Sequence, residues 1–531
     1  LQERAERALL LLEGAEERFQ IPDDKLFDEA QTALRNEMSI VSQVLGEQGP
    51  DIESSWKNHL RWHVLEKNIE TNDVNVRELK LVRRWMFSNR EGIEGPLFQD
   101  LRRLMDTYLD AAVTFTDEDL HATFQSRLLD LRNQLRVVSE TPSDAHVAAL
   151  GRTLGWFEQT GQLTDDIEKI RTHLSIPNAS IVFDASLAPR VLSLFDTSVE
   201  QTIGIRDTER TPPTGLLRQR RNLLIRGQAG TTGTTSLTFA PNDQEARLRI
   251  DFQGMVRAVT TADAGPATLH VYTHGPVRAS TDVFVGRDGL RVGETTVQPS
   301  VATRVTQITA RNAIVRRIAR RQARGSDARQ SMQYSGTKRT RDLVYEHMDE
   351  RVRETVDEIR RESQRVRKSL GRFADVFAPI VREGARPRLH HIESTHESIE
   401  VAIMAAKRSQ LGAVLPLPND GYEGDVQLRV HTSFVNNMLE TILGGKRLSD
   451  EFLMRYAKVL QSELPIPLMV HSRTQRWAVE TRKHRPLTLS IPEPNRFKFS
   501  FQLTGVEIDG EMFNGDALAT VTYQLTQDEL Q

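Results

Sequence analysis

Apolar side chains recur at three- and four-residue intervals through the first third of the chain. Phe27, Ala30, Leu34, Met38, Val41 and Leu45 form one such series, the spacing that gathers side chains on one face of an α-helix. Leu9, Leu10, Leu12 and Phe19 begin the pattern. Thr116-Asp-Glu-Asp119 before Leu120, and Thr164-Asp-Asp166 before Ile167, read as helix starts whose acidic first turns face the positive end of the helix dipole. Trp56, Trp62, Trp85, Met86 and Trp156 fall on the apolar faces and are expected in a core. Residues 1–175 thus predict an α-helical domain, without a fixed-period repeat.

The period then changes. Ile181-Val182-Phe183 reads as a strand, followed by a helix with Ser186 at its N-cap and Leu187, Val191, Leu194 and Phe195 on one face. From Leu216 to Val301, short alternating runs (Leu223–Ile225, Leu237–Phe239, Leu248–Phe252, Met255–Val259, Leu269–Tyr272, Val283–Val285 and Leu290–Val292) predict an antiparallel meander. Turns are expected at Asp243, Gly265-Pro266, Gly275-Pro276 and Asp288-Gly289. In this β-rich module, 176–303, Leu248, Ile250 and Phe252 pack while Arg247 and Arg249 face water.

Residues 304–386 return to helix, a basic and charged insert. Val301, Val305, Ile308, Val315 and Ile318 make an apolar stripe beside Arg304, Arg311, Arg316, Arg317, Arg320, Arg321 and Arg324. A second helix, about Lys338 to Leu370, carries a thin seam of Leu343, Met348, Val352, Val356, Ile359, Val366 and Leu370 among interleaved Glu and Arg, which suits helix pairing or a strut. The last module, 387–531, is α+β. It opens with a hairpin around Ser394-Thr395-His396. Val426, Leu428 and Val430 then alternate on a strand with that face buried, and Ser433 caps a helix lined by Phe434, Val435, Met438, Leu439, Ile442 and Leu443. Gly444-Gly445 ends it. A further helix, capped by Ser449, carries Phe452, Leu453, Tyr456 and Leu460. Closing strands alternate at Phe497, Phe499, Phe501 and Leu503, then at Val506 and Ile508, then from Ala519 to Leu525. The fold class is therefore α+β: an N-terminal helical domain, then antiparallel sheet modules each wrapping an amphipathic helix, with a long charged helical insert.

Composition narrows the function classes. At 531 residues the chain exceeds one core. With 38% hydrophobic and 27% charged residues it is folded and polar, and a net charge of −3 selects neither nucleic acid nor an anionic surface globally. Cysteine is absent, which removes disulfides, thiolate metal sites and cysteine catalysis. No apolar run approaches the ~18 residues of a membrane span. The start at Leu1 raises the expectation of an exported mature protein, periplasmic or extracellular.

Little chemistry is declared. Gly227-Gln-Ala-Gly-Thr-Thr-Gly233 has the glycines of a phosphate loop but not its lysine, and reads as a hairpin loop. His390, His391, Glu393, His396 and Glu397 lack zinc-site spacing, so no metal or other cofactor is expected. The arginines near Arg316 could grip phosphate or anionic lipid, but acidic partners abound in the next helix, so a solvated or ion-paired face is expected and no specific nucleic acid. Asn178-Ala-Ser180 fits a glycosylation sequon. No nucleophile, base and acid fall in a catalytic arrangement, and a non-enzymatic protein is expected.

The stretch Ser433, Phe434, Val435, Asn436, Met438 and Leu439, entered from a strand, resembles the segment of tubular lipid-binding proteins of the bactericidal permeability-increasing type. There, a strand leads into a helix along an apolar tunnel, and two modules form a pseudo-dimer; Ser180–Phe195 and Val426–Gly445 would be the two units. The family's disulfide is missing, and a helical domain precedes both units. The chain is also similar to large envelope proteins of planctomycete-type bacteria, a family that lends no activity. The resemblance implies a lipid or other hydrophobic ligand against Phe434, Val435, Met438, Leu439, Ile442, Leu443, Phe497, Phe499 and Phe501, unless these merely close a core. The alternative expectation is a structural or scaffolding component of a cell-envelope assembly, joined to protein partners or to copies of itself through its helices.

Overall fold

The structure is a computed structural model that describes residues 1–70, 74–87, 93, 96–192, 198–210, 222–263, 266–369, 380, 384–385, 387–417, 424–449, 477–509 and 511–524. Its first part is helical: α1 (Gln2–Leu11), α2 (Asp24–Gln48), α3 (Pro50–His59), α4 (Trp62–Glu70), α5 (Val76–Met86), α6 (Pro96–Phe115), α7 (Leu120–Glu140), α8 (Asp144–Gln159) and α9 (Thr164–Leu174). The six-residue series of α2 is the buried face of that helix, closed by α6 and by α3 to α5 into one core with Trp62 and Tyr108. A second core joins α1, α7, α8 and α9. Of the five tryptophans Trp62 is buried, while Trp56, Trp85, Trp156 and Trp477 are half-buried. Leu10, expected on the inner face of α1, is exposed.

After β1 (Ala179–Asp184) and the short α10 (Ala188–Leu192) come β2 (Ser198–Arg210), β3 (Asn222–Ala240), β4 (Ala246–Asp263), β5 (Ala267–Gly286), β6 (Gly289–Pro299) and β7 (Ala302–Ala310). β2 to β7 form one six-stranded antiparallel sheet. The meander is thus made of fewer, longer strands than its pattern predicts. Leu223–Ile225 and Leu237–Phe239 are both in β3, and the glycine run Gly227–Gly233 is strand, not loop. The glycines are what allow it: a Cβ on Gly233 would lie 2.5 Å from the Gln253 carbonyl oxygen and 2.7 Å from the Phe252 ring. Likewise Gly275-Pro276 makes no turn. It marks the point in β5 where its neighbour changes from β6 to β7. The Leu194 and Phe195 positions lie outside the described residues, as does the segment with Phe452, Leu453, Tyr456 and Leu460.

Residues 304–310, expected as helix, are strand in β7; Val305 and Ile308 read as either period because only a few positions are apolar. Helices α11 (Ala313–Ala323) and α12 (Ser326–Ser369) follow. Among the described residues the thin seam of α12 does not pair with a helix. Val344, Met348, Val352 and Val356 pack against Phe239, Ile250, Phe252, Val277, Ala279 and Val283 of the large sheet, which supplies the cover that the alternation in β4 demands. Gln333, near the start of α12, donates to the Val301 carbonyl and accepts from the Thr303 N–H across the break between β6 and β7.

The remainder comprises β8 (Arg388–Ser394), β9 (Ser398–Met404), β10 (Val426–Val430), α13 (Thr432–Leu443), β11 (Arg447–Ser449), β12 (Trp477–Thr481), β13 (Leu487–Glu493), β14 (Arg496–Ile508) and β15 (Glu511–Gln524). A central four-stranded sheet has the order β10-β1-β9-β8, and a five-stranded terminal sheet joins β11 to β15. The strands of the two strand–helix units meet as antiparallel neighbours in one sheet, Ile181 opposite Leu428. The molecule is α+β, a helical region followed by antiparallel sheets.

Candidate functional site

The candidate surface is built around α13. Its strand β10 alternates as expected, but with the opposite face exposed: Leu428 is 68% exposed, Val426 and Val430 are also exposed, and Gln427 and Arg429 are half-buried. In the register of this sheet those valines and Leu428 share a face with Ala179, Ile181 and Phe183, and with Ile399, Val401 and Ile403. The core under the large sheet takes in Ile392, Ile399 and part of Phe183, and it stops before β10. Because both faces of β1 hold buried residues, alternation alone could not say which face of the edge strand would be left open.

His431, not Ser433, caps α13. Its Nδ1 accepts the Ser433 N–H at 3.1 Å, and burial holds its pKa below the ordinary histidine value despite Asp144 pulling it upward. The polar arc of α13 does the anchoring. Asn436 donates to the Leu489 carbonyl at 3.0 Å and accepts the Leu489 N–H at 2.7 Å, so both outward groups of that residue on β13 are satisfied and the helix lies along the edge of the terminal sheet. Asn437 donates to the carbonyls of Ala405 and Leu411. Glu440 and Thr441 are buried, and Glu440 accepts the Arg485 N–H at 3.0 Å. Burial pushes the Glu440 carboxyl up, yet His484, Lys407 and that N–H together hold it below the usual range. These anchors escape a reading that follows only hydrophobicity. The signal was an Asn-Asn pair with Glu four residues on, all on one side of an apolar helix.

The apolar arc is the less covered one. Phe434, Val435, Met438, Leu439, Ile442 and Leu443 are all half-buried, as are Phe497, Phe499 and Phe501. None of the nine belongs to any of the three cores. Register places Phe497, Phe499, Phe501 and Leu503 on one face with Tyr523, Val521, Ala519 and Ala517 of β15, and with Leu487 and Leu489 of β13. Every residue of β15 is exposed. The structure thus brings α13 and the phenylalanine strand together through β13, with the helix at the sheet's edge. An open depression of about 400 Å3 lies elsewhere, at Asp165, Glu168, Lys169, Thr172 and His173 on α9.

The other candidates resolve structurally. Asn178 is fully buried, donating to the Ala405 carbonyl and accepting the Ala405 N–H, so the sequon is a structural tie. His390, His396 and Glu397 point to solvent on the β8–β9 hairpin while His391 and Glu393 are half-buried, and among the described residues no three such side chains gather as a metal site. Among the described residues no helix is long and apolar enough to cross a membrane.

No protein-family model and no curated protein matches the chain. Among solved structures, the crystal structure of lipopolysaccharide binding protein aligns with 66% of this chain and 83% of its own, at 12% identity and a TM-score of 0.20. A superposition that loose does not establish a common fold. The class defined by fold and surface is an α+β protein with a helical N-terminal region and partly uncovered apolar sheet and helix faces.

Proposed function

We propose that this is a non-enzymatic, extracytoplasmic protein that binds a lipid or another hydrophobic ligand, whose apolar part lies against α13 and the phenylalanine face of the terminal sheet. One observation carries the reading. All nine apolar residues of this surface keep partial exposure, and none joins one of the three described cores. An apolar surface left accessible in this way is stabilised by whatever covers it, at roughly 25 cal/mol per Å². The nine side chains include no titratable group, which fits binding rather than catalysis.

The test is uptake of a fluorescent fatty acid, with native mass spectrometry of protein purified from its own source. Phe499→Asp should weaken uptake at least tenfold while leaving the helical region folded. No uptake and no co-purifying lipid would sink the reading. The extracytoplasmic setting rests on the resemblance and is checked by cell fractionation.

A second reading, a structural component of a cell-envelope assembly, is favoured by β15. Its fourteen residues are all exposed, and among the described strands it pairs only with β14. A free strand edge with Phe513 and Leu518 exposed is a template for another chain. Light scattering after size exclusion separates the two readings: a concentration-dependent dimer or larger species supports this one.

A further inference from the structure

Helix α11 carries a second surface, distinct from the apolar one. Between Arg311 and Arg324 the sequence has six arginines and no acidic residue, in a chain whose net charge is −3. Acidic partners in α12 were the sequence-based reason to expect these charges to be neutralised. The structure does not use them. Arg311, Arg316, Arg317, Arg320, Arg321 and Arg324 are all exposed, and none makes an ion pair or side-chain hydrogen bond among the described residues. The acidic residue that begins α12, Asp327, accepts from Ser326 Oγ instead.

The apolar positions divide in an unexpected way. At about 100° per residue, Val315, Ala319 and Ala323 share one side of α11; they are its half-buried positions, and the helix packs on β7 and α12. Ile314 and Ile318 lie on a different side, next to Arg317 and Arg321, and are 72% and 47% exposed. Asn312 fixes the start of the helix by accepting the Val315 N–H at 2.8 Å, so this orientation is set by a cap as well as by packing. Two isoleucines directed to water beside unneutralised guanidinium groups contribute nothing to any of the described cores.

We infer that α11 is a docking helix for an anionic lipid bilayer surface: its arginines meet the headgroup phosphates while Ile314 and Ile318 enter the acyl boundary. Charge complementarity selects an anionic partner. The isoleucines select a bilayer over nucleic acid, because a phosphate backbone offers them no apolar medium, and α11 has no aromatic side chain to stack on bases. The inference goes beyond the apolar-ligand reading and does not depend on it, since the two concern different residues.

The experiment is co-sedimentation of the full chain with vesicles of phosphatidylcholine alone and of phosphatidylcholine mixed equally with phosphatidylglycerol. Binding is expected to the mixed vesicles only, and to weaken with added salt. Arg317→Gln/Arg320→Gln/Arg321→Gln should lower affinity by about a hundredfold. Ile314→Ser/Ile318→Ser should lower it by about tenfold, which a purely electrostatic contact would not show. All five side chains are exposed, so folding is not at stake. Because the chain contains no cysteine, Ile318→Cys can also be labelled with a polarity-sensitive fluorophore, whose emission should shift to the blue on mixed vesicles. Equal sedimentation with both vesicle types, no sedimentation with either, or an unshifted fluorophore overturns the inference. Tighter binding to duplex DNA with the isoleucine variant unaffected would overturn it in favour of nucleic acid.

Discussion

His431 illustrates how a single side chain ties a sheet to a helix. Its ring nitrogen can accept the Ser433 N–H only when unprotonated, and burial pushes its pKa below the ordinary 6.5. A depressed folded value means that the cap's contribution is complete above 6.5 and is lost as pH falls through the folded value. Thermal melts should therefore show stability declining as pH drops below that point, with about 1 kcal/mol of the decline due to this cap. His347 is shifted downward by burial too, so His431→Asn, which keeps a capping side chain, should flatten part of the profile. Parallel profiles for variant and parent would show that the cap does not titrate. Asn436 is the companion case. Removing its two bonds to Leu489 in Asn436→Ala strands both backbone groups at a sheet edge, and urea denaturation should register a loss of about 1–3 kcal/mol. Neither role was legible in the sequence. The cap was expected at Ser433 and not at His431, and the partner of Asn436 is 53 residues away, where only the fold brings Leu489 to the helix.

Elements were legible where one face meets one core. The α2 series and the Leu248, Ile250 and Phe252 side of β4 lie where their periods put them, because each has a single buried side. Legibility failed where both sides are covered or neither is: β10 opened the face expected to be buried, and the long strands β3 and β5 ran through glycines that elsewhere signal turns. Glycine itself has no single meaning here, and the same substitution should have opposite signs in two helices. A Cβ on Gly155 in α8 would lie 2.9 Å from the Ser409 Cα and 3.0 Å from the Arg408 carbonyl oxygen, backbone atoms that cannot swing away. Gly155→Ala should cost about 1–3 kcal/mol. On Gly46 in α2 the added Cβ meets only the end of the Glu53 side chain, at 3.3 Å. Gly46→Ala should stabilise by roughly 0.5–1 kcal/mol through helix propensity. Chemical denaturation of both variants checks the pair, and a loss at both positions would refute the distinction.

At the scale of the whole molecule, the helical region is joined to the segment that follows β9 by packing and by charged groups. The segment after β9 lies against α8 where Gly151 and Gly155 have no side chains, and Leu411 enters the core of α1, α7, α8 and α9. Charged groups reinforce the join. Arg171 on α9 donates to the carbonyls of Arg408 and Gln410 and pairs with Glu158, and Arg408 pairs with Asp110 on α6, whose carboxyl burial pushes up against that arginine's pull. Asn437 of α13 then holds the Leu411 carbonyl from the other side. One short segment thereby links the candidate ligand surface to helices more than two hundred residues earlier, so a change at Leu411 should be felt on both sides. Leu411→Ala removes a side chain that is 2% exposed and should cost about 2–4 kcal/mol. Hydrogen exchange is the measurement: amides of α8 and α9 and of α13 should all lose protection, because the cavity and the loosened segment border both groups. If exchange rises only between β9 and β10, the segment is a local tether and the helical region folds independently of the sheets.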